Sequence, residues 1–166
     1  TYQDMFLLAN DLGITCIAAA GNDASPIPMY PASYDGVISV GATNDNDEIT
    51  YFSNYGTTID IMAPGQDILS TLAGADDAYG ELSGTSMACP MVSGVAAMLK
   101  SYFPTLSMKE IKDIMLSSAK SYVGKQQFKP GTEEPVDFAT LSVTGGVVNI
   151  KNAVKACKAL EASKMN

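Results

Sequence analysis

The chain contains no histidine in 166 residues. That removes the side chain most often used as a general base near neutral pH, and the commonest ligand of catalytic zinc. Cysteine is scarce. Cys16, Cys89 and Cys157 are odd in number and widely spaced, which fits neither a disulfide framework nor a zinc site. Cys16, inside an apolar run, is expected as a buried free thiol. No metal and no cofactor is expected. Charged residues make up 17% of the chain and the net charge is −8. With no run of lysines to reverse that sign locally, the balance argues against a nucleic-acid-binding surface. Long hydrophobic runs are also missing, so no membrane span is expected. The opening Thr1-Tyr2-Gln3-Asp4 is not a signal peptide. It reads as the inside of a helix, with Met5, Phe6, Leu8, Ala9 and Leu12 forming an apolar stripe that closes at Gly13. A chain that opens within a helix is expected to be a piece of a longer polypeptide.

What is present is enough apolar material, 46% of residues, for one domain with a real core. Helical and strand-like segments alternate. Ile14 to Ala20 is a continuous apolar run suited to a parallel strand buried on both faces, and Gly21-Asn22 stops it. Asn22 to Pro31 is loop. Val37 to Ala42 and Ile59 to Ala63 are further strands, with Ile68 to Leu72 as another candidate. Ser86 to Phe103 is a long apolar helix, with Ala88, Ser93, Gly94, Ala96 and Ala97 allowing close packing and Pro90 tolerated in its first turn. Ser107 and Glu110 form a capping box for the next helix. Residues 122–142 are expected to form an exposed excursion, and the chain closes on a helix carrying Val154, Cys157 and Leu160. The pattern predicts an α/β fold with a mostly parallel sheet, whose functional site lies beyond the carboxyl ends of its strands. Asn22 follows one such strand, and Ser86 opens a helix.

A serine at a helix start has free backbone N–H groups and a favourable dipole beside it. Most such serines only cap the helix. The setting of Ser86 is more specific: Gly84-Thr85-Ser86-Met87-Ala88-Cys89-Pro90, then Val92 and Gly94. It lacks the glycine two residues after serine that marks the α/β-hydrolase elbow, and it is not a phosphate loop. It resembles the nucleophile motif of the subtilisin-like serine proteases. Ala18-Ala19-Ala20-Gly21-Asn22-Asp23 resembles the oxyanion segment of that family. Tyr30-Pro31-Ala32, Val40-Gly41-Ala42, Phe52-Ser53-Asn54-Tyr55-Gly56, Met62-Ala63-Pro64-Gly65, Ile68-Leu69-Ser70-Thr71 and Gly145-Gly146-Val147-Val148-Asn149 follow in family order.

The resemblance implies a three-layer subtilisin-like fold, of which residues 1–166 would be the C-terminal portion of the catalytic domain. It implies Ser86 as nucleophile and Asn22 as oxyanion donor, with the Ser86 N–H as a second donor. Ala19, Ala20 and Gly21 would form one wall of the pocket for the residue before the scissile bond. Met29 would lie near its floor and make it shallow, and Gly84 would complete the site. A cis Tyr30–Pro31 bond is implied. Some members hold a weak cation on carbonyls matching Ala32, Tyr34 and Val37, but no nearby carboxylate would secure calcium here.

Two departures stand out. Met91 replaces a histidine that is generally structural in the family. The family's catalytic histidine and aspartate lie upstream of the oxyanion asparagine, and neither can be assigned here. The expected function is therefore a serine endopeptidase acting through an acyl-enzyme on Ser86. Its histidine and aspartate would come from an upstream segment, and the chain alone would be inactive. The alternative is a non-catalytic subtilisin-like scaffold that binds or regulates. A third account, an unrelated hydrolase, would need another base near Ser86. The nearest lysines, Lys100 and Lys109, sit on helices that lead away from it. The expected partners are a protein or peptide substrate and the N-terminal part of the same domain, with an extracytoplasmic location.

Overall fold

The computed structural model describes residues 1–165. Helix α1 spans Tyr2–Asp11. Thr1 is its N-cap: its hydroxyl accepts from the Asp4 N–H at 3.3 Å, and the Asp4 carboxylate reaches back to form a capping box. Gly13 follows with φ +78°, a backbone region that glycine enters without penalty. The apolar stripe forms but is not covered: Met5, Leu8 and Leu12 are 66, 58 and 70% exposed. Phe6 alone finds an aromatic partner, stacking on Tyr34 at 5.4 Å.

There follow, in chain order, β1 (Cys16–Ala19), β2 (Val37–Thr43), β3 (Ile61–Pro64), β4 (Ile68–Thr71), β5 (Tyr79–Leu82), α2 (Thr85–Tyr102), α3 (Met108–Ser117), β6 (Lys120–Ser121), β7 (Gln126–Phe128), β8 (Pro135–Asp137), β9 (Gly146–Val147) and α4 (Ile150–Lys164). The main sheet has the order β1-β2-β3-β9-β6. Its first four strands run parallel, and β6 returns antiparallel to β9. The β-branched run of β2 lies at the centre of this arrangement and is buried at every position. β1 is half-buried along its length because among the described residues it is an edge strand, paired with β2 alone. The expectation of burial on both faces fails for that reason. Cys16 shares the half-burial, and Cys157 in α4 is the fully buried thiol.

Alternation along β2 and β3 divides the core. Ile38, Val40, Ala42, Ile61 and Ala63 pack with Ala88, Val92, Ala96 and Leu99 of α2, and with Ile111, Met115 and Cys157 of α3 and α4. Met62 points the other way, into a smaller cluster with Ala20, Ile49, Ile59, Phe138 and Leu141. Each large side chain buried in this way contributes about 1.5–3 kcal/mol. In α2 the small residues split by face. Ala88 and Ala96 are the close-packing ones, while Ser93, Gly94 and Ala97 are exposed. Pro90 lies inside α2 and not in its first turn. Having no N–H, it leaves the Ser86 carbonyl without its usual helical partner. The Ser107–Glu110 capping box forms as predicted, with the Ser107 hydroxyl accepting from the Glu110 N–H at 3.2 Å. Glu110 also meets Lys164 of α4 at 2.5 Å. That ion pair, followed by the Ser107 hydrogen bonds, lowers the Glu110 pKa to about 2.

Strands β4 and β5 form a separate antiparallel hairpin. β5 was not legible in the sequence because both its apolar residues, Tyr79 and Leu82, are exposed, at 64 and 50%. With no buried face, it shows no periodicity to read. β7 and β8 form a second hairpin, after which Phe138 and Leu141 enter the smaller cluster.

Candidate active site

The start of α2 is pressed against the turn after β3. The Gly84 N–H donates to the Gly65 carbonyl at 2.7 Å. A Cβ on Gly65 would lie 2.7 Å from the Gly84 carbonyl oxygen and 2.8 Å from the Ala42 Cβ. Only glycine permits this approach, which sets the height of Ser86 above the carboxyl ends of β1 to β3. Ser86 itself is exposed.

Asn22 leaves the end of β1 and meets the same helix start. Its Oδ1 accepts from the Thr85 N–H at 2.9 Å and from the Thr85 hydroxyl at 3.0 Å. The Thr85 hydroxyl in turn accepts from the Gly21 N–H at 3.1 Å. Two donors saturate the Asn22 oxygen, so the amide orientation is set and its NH2 group faces away from Thr85. At the helix start the Thr85 N–H is used by Asn22, and the Met87 and Ala88 N–H groups turn back to the Gly84 carbonyl. The Ser86 N–H remains, as expected for an early helical donor. A Cβ built on Gly84 would lie 3.5 Å from Asn22 Nδ2 and 3.7 Å from Ser86 N. Both donors therefore border one small space beside Ser86, and Gly84 keeps it open by lacking a side chain. The φ of 160° at Gly84 is extended backbone, so its conformation does not require glycine.

The loop carrying Asn22 is held from beneath by Asn54, which is 1% exposed. Asn54 Nδ2 donates to the Ala20 carbonyl at 2.9 Å, and its Oδ1 accepts from the Asp23 and Ser25 N–H groups at 3.0 and 3.1 Å. Its backbone N–H donates to the Gly21 carbonyl at 2.9 Å. Gly21 has φ +105°, and a Cβ there would be 2.5 Å from Asn54 Nδ2. Thr85 and Asn54 are the positioning residues that reading for reactive groups passes over. Thr85 sits inside the nucleophile motif and Asn54 inside the Phe52–Gly56 segment, which were the available signals; neither pointed to these hydrogen bonds.

The residues expected beside the specificity pocket fall close together, with different exposures. Ala19 and Gly21 are half-buried, and Ala20 is 1% exposed, its methyl turned into the smaller cluster. Met29 is 42% exposed, with its Cγ 3.4 Å from the Cβ position of Gly21. The Tyr30–Pro31 bond is cis. Of the carbonyls expected at a cation site, that of Tyr34 accepts the Val37 N–H at 3.2 Å. A separate cavity of about 400 Å³ lies past Asn22, lined by Asn22, Tyr51, Phe52, Gln66, Asp67 and Ser83. It shares none of Ala19, Ala20, Gly21 or Met29.

No base for Ser86 is found among the described residues. Histidine is absent. Lys100 is at the far end of α2, where its Nζ donates to the Pro104 and Leu106 carbonyls at 2.9 and 2.7 Å. Lys109 pairs with Asp113 at 2.8 Å. Cys89 is not a rival nucleophile: burial pushes its thiol up, against a smaller opposing effect of Ser93, so it stays protonated near neutral pH. The arrangement can present a hydroxyl and two oxyanion donors, and needs a proton acceptor from elsewhere.

Comparison with known proteins gives the family of the chain. A family model described as the Subtilase family matches residues 2–144. A thermophilic serine proteinase of Bacillus sp. (strain AK1) is 52% identical over 101 residues, covering 61% of this chain and 25% of the relative. Subtilisin DY of Bacillus licheniformis is 41% identical over 122 residues, covering 68% of this chain and 44% of the relative. Among solved structures, the prenylagaramide maturation protease PagA superposes with a TM-score of 0.75 at 31% identity, covering 93% of this chain and 54% of that one. A protease from Pseudoalteromonas arctica superposes with a TM-score of 0.78 at 32% identity, covering 93% and 46%. The chain spans about half or less of the length of each of these proteins.

Proposed function

Since this chain belongs to the subtilase family, we propose that it supplies the nucleophile and oxyanion side of a serine endopeptidase site. In this reading, residues 1–166 are the C-terminal portion of the catalytic domain. The single observation that carries the proposal is the space bordered by Asn22 Nδ2 and the Ser86 N–H, 3.5 and 3.7 Å from a Cβ position on Gly84. A binding module has no use for two donors bordering one space beside an exposed hydroxyl. Ser86 attacks the peptide carbonyl, and its proton passes to a histidine on the N-terminal part of the domain, oriented there by an aspartate. Asn22 Nδ2 and the Ser86 N–H hold the oxyanion, and water releases the acyl group. The half-buried edge of β1 and the uncovered stripe of α1 suit contact with that N-terminal part. No helix among the described residues is long and apolar enough to cross a membrane, and the family likeness favours an extracytoplasmic location.

A fluorophosphonate probe tests the assignment. Ser86 is expected to label rapidly in the intact protein and negligibly in residues 1–166 alone. Equal labelling of both, or of neither, would contradict it. The residue before the scissile bond is read by Ala19, Gly21 and Met29, with Ala20 supporting the wall from behind. Met29 over Gly21 narrows that pocket, so small and medium side chains are expected to be cleaved faster than large aromatic ones. A peptide library varied at that position checks this, and an aromatic preference would count against a floor at Met29.

A further inference from the structure

A cavity of about 1140 Å³ lies outside the site just described. One wall is the β7–β8 hairpin, with Phe128, Pro130 and Glu133; the other is the segment Glu48, Ile49 and Tyr51. The two walls are fixed to each other and to the Asn22 loop. Gln127 Oε1 accepts from the Ile49 N–H at 3.0 Å. Gly131, at the tip with φ +74°, is so close to Ala24 that a Cβ there would lie 2.8 Å from the Ala24 Cβ. Ala24 follows Asn22 by two positions and donates its N–H to the Phe52 carbonyl at 2.9 Å. The hairpin is thus braced against the loop that carries the oxyanion donor.

Tyr51 joins this cavity to the active site. It lines both the large cavity and the smaller one holding Asn22, Phe52 and Ser83. The smaller cavity borders Asn22 and Ser83 and shares nothing with the wall for the residue before the scissile bond, so in the proposed site it is taken as the leaving-group side. A polypeptide continuing past Tyr51 runs into the large cavity. Tyr51 and Phe128, 78 and 64% exposed, give it two aromatic faces. The charge at its rim is negative. Lys129 is occupied by Glu134 at 2.8 Å, and Glu48 and Glu133 have no cationic partner among the described residues.

We propose that the cavity between the β7–β8 hairpin and Glu48–Tyr51 is a distal binding site for the leaving-group side of an extended polypeptide, selecting a basic side chain between Glu48 and Glu133. This rests on the reading of the chain as part of a peptide hydrolase. It extends substrate recognition well beyond the residues next to the scissile bond and makes the hairpin part of the recognition machinery.

The test uses the intact protein and substrates sharing one acyl half. One ends in a small chromogenic leaving group. Two others continue for several residues, with either Lys or Glu at the distal position. The Lys peptide is expected to be cleaved with kcat/KM about fivefold above the Glu peptide. The near-isosteric double variant Glu48→Gln with Glu133→Gln is expected to abolish that preference. Phe128→Ala is expected to slow both long peptides about tenfold through lost aromatic contact. None of these variants should change hydrolysis of the short substrate, which also reports that each is folded. Equal cleavage of the Lys and Glu peptides by the parent protein, or equal losses on short and long substrates, would overturn the distal site alone. Failure of the parent protein to cleave any of them would overturn the hydrolase reading, and this inference with it.

Discussion

Replacing Ser86 with alanine in the intact protein is expected to lower kcat by about 10⁶, a magnitude carried over from triad knockouts in a subtilisin. Replacing Asn22 with leucine is expected to lower it by only about 10²–10³, again the size known for an oxyanion donor in a subtilisin. The gap follows from the geometry. Ser86 is the exposed hydroxyl at the start of α2, and no other nucleophile stands in for it: Cys89 is held protonated by burial. In the proposed site Asn22 shares its task with the Ser86 N–H, so one donor survives its loss. Thr85 ties Asn22 to the helix through two hydrogen bonds at 2.9 and 3.0 Å, and leucine removes the acceptor of both. KM should change little in either variant, because the oxyanion forms only as the carbonyl is attacked. Single-turnover kinetics and active-site titration separate the two cases. Similar losses in both variants would remove Ser86 from the role of nucleophile.

Asn54→Ala is expected to lower the unfolding free energy by about 3 kcal/mol. The substitution strips partners from the Ala20 carbonyl and from the Asp23 and Ser25 N–H groups, at a position 1% exposed. A buried polar group left unpaired costs more than an ordinary hydrogen bond contributes. Activity should fall as well, because the same contacts hold Gly21 and Asn22 in place beside Thr85. The signature is a lower urea midpoint with an unchanged slope, together with a loss in kcat. An unchanged midpoint would show that the loop is held by other means.

The sequence was most legible where one residue type answers one demand. The Ser107–Glu110 box marked a helix start, and the β-branched run of β2 marked a buried strand. The Gly84–Pro90 motif and the turn at Gly21-Asn22 named two segments that the structure brings together through Thr85. Legibility failed where an outcome depends on distant neighbours. β1 has a central strand's composition, but it pairs only with β2 and remains half-buried. The stripe of α1 is a correct helical pattern without a cover among the described residues. Asn54 sits 32 positions after Asn22, and its four hydrogen bonds exist only once β1 and the turn after β2 are folded together. The hairpin at residues 126–137 reads as polar punctuation, and its bracing by Gln127 and Gly131 depends on the positions of Ile49 and Ala24.

The clamp of Thr85 on the Asn22 oxygen has a consequence for the shape of the reaction barrier. In water, solvent dipoles must turn to meet a growing negative charge, and that turning is part of the activation free energy. Here the amide is already turned, held by donors at 2.9 and 3.0 Å that substrate does not need to displace. In the proposed site the reorganisation is completed when the chain folds, so each turnover would meet a field that is standing before the carbonyl arrives.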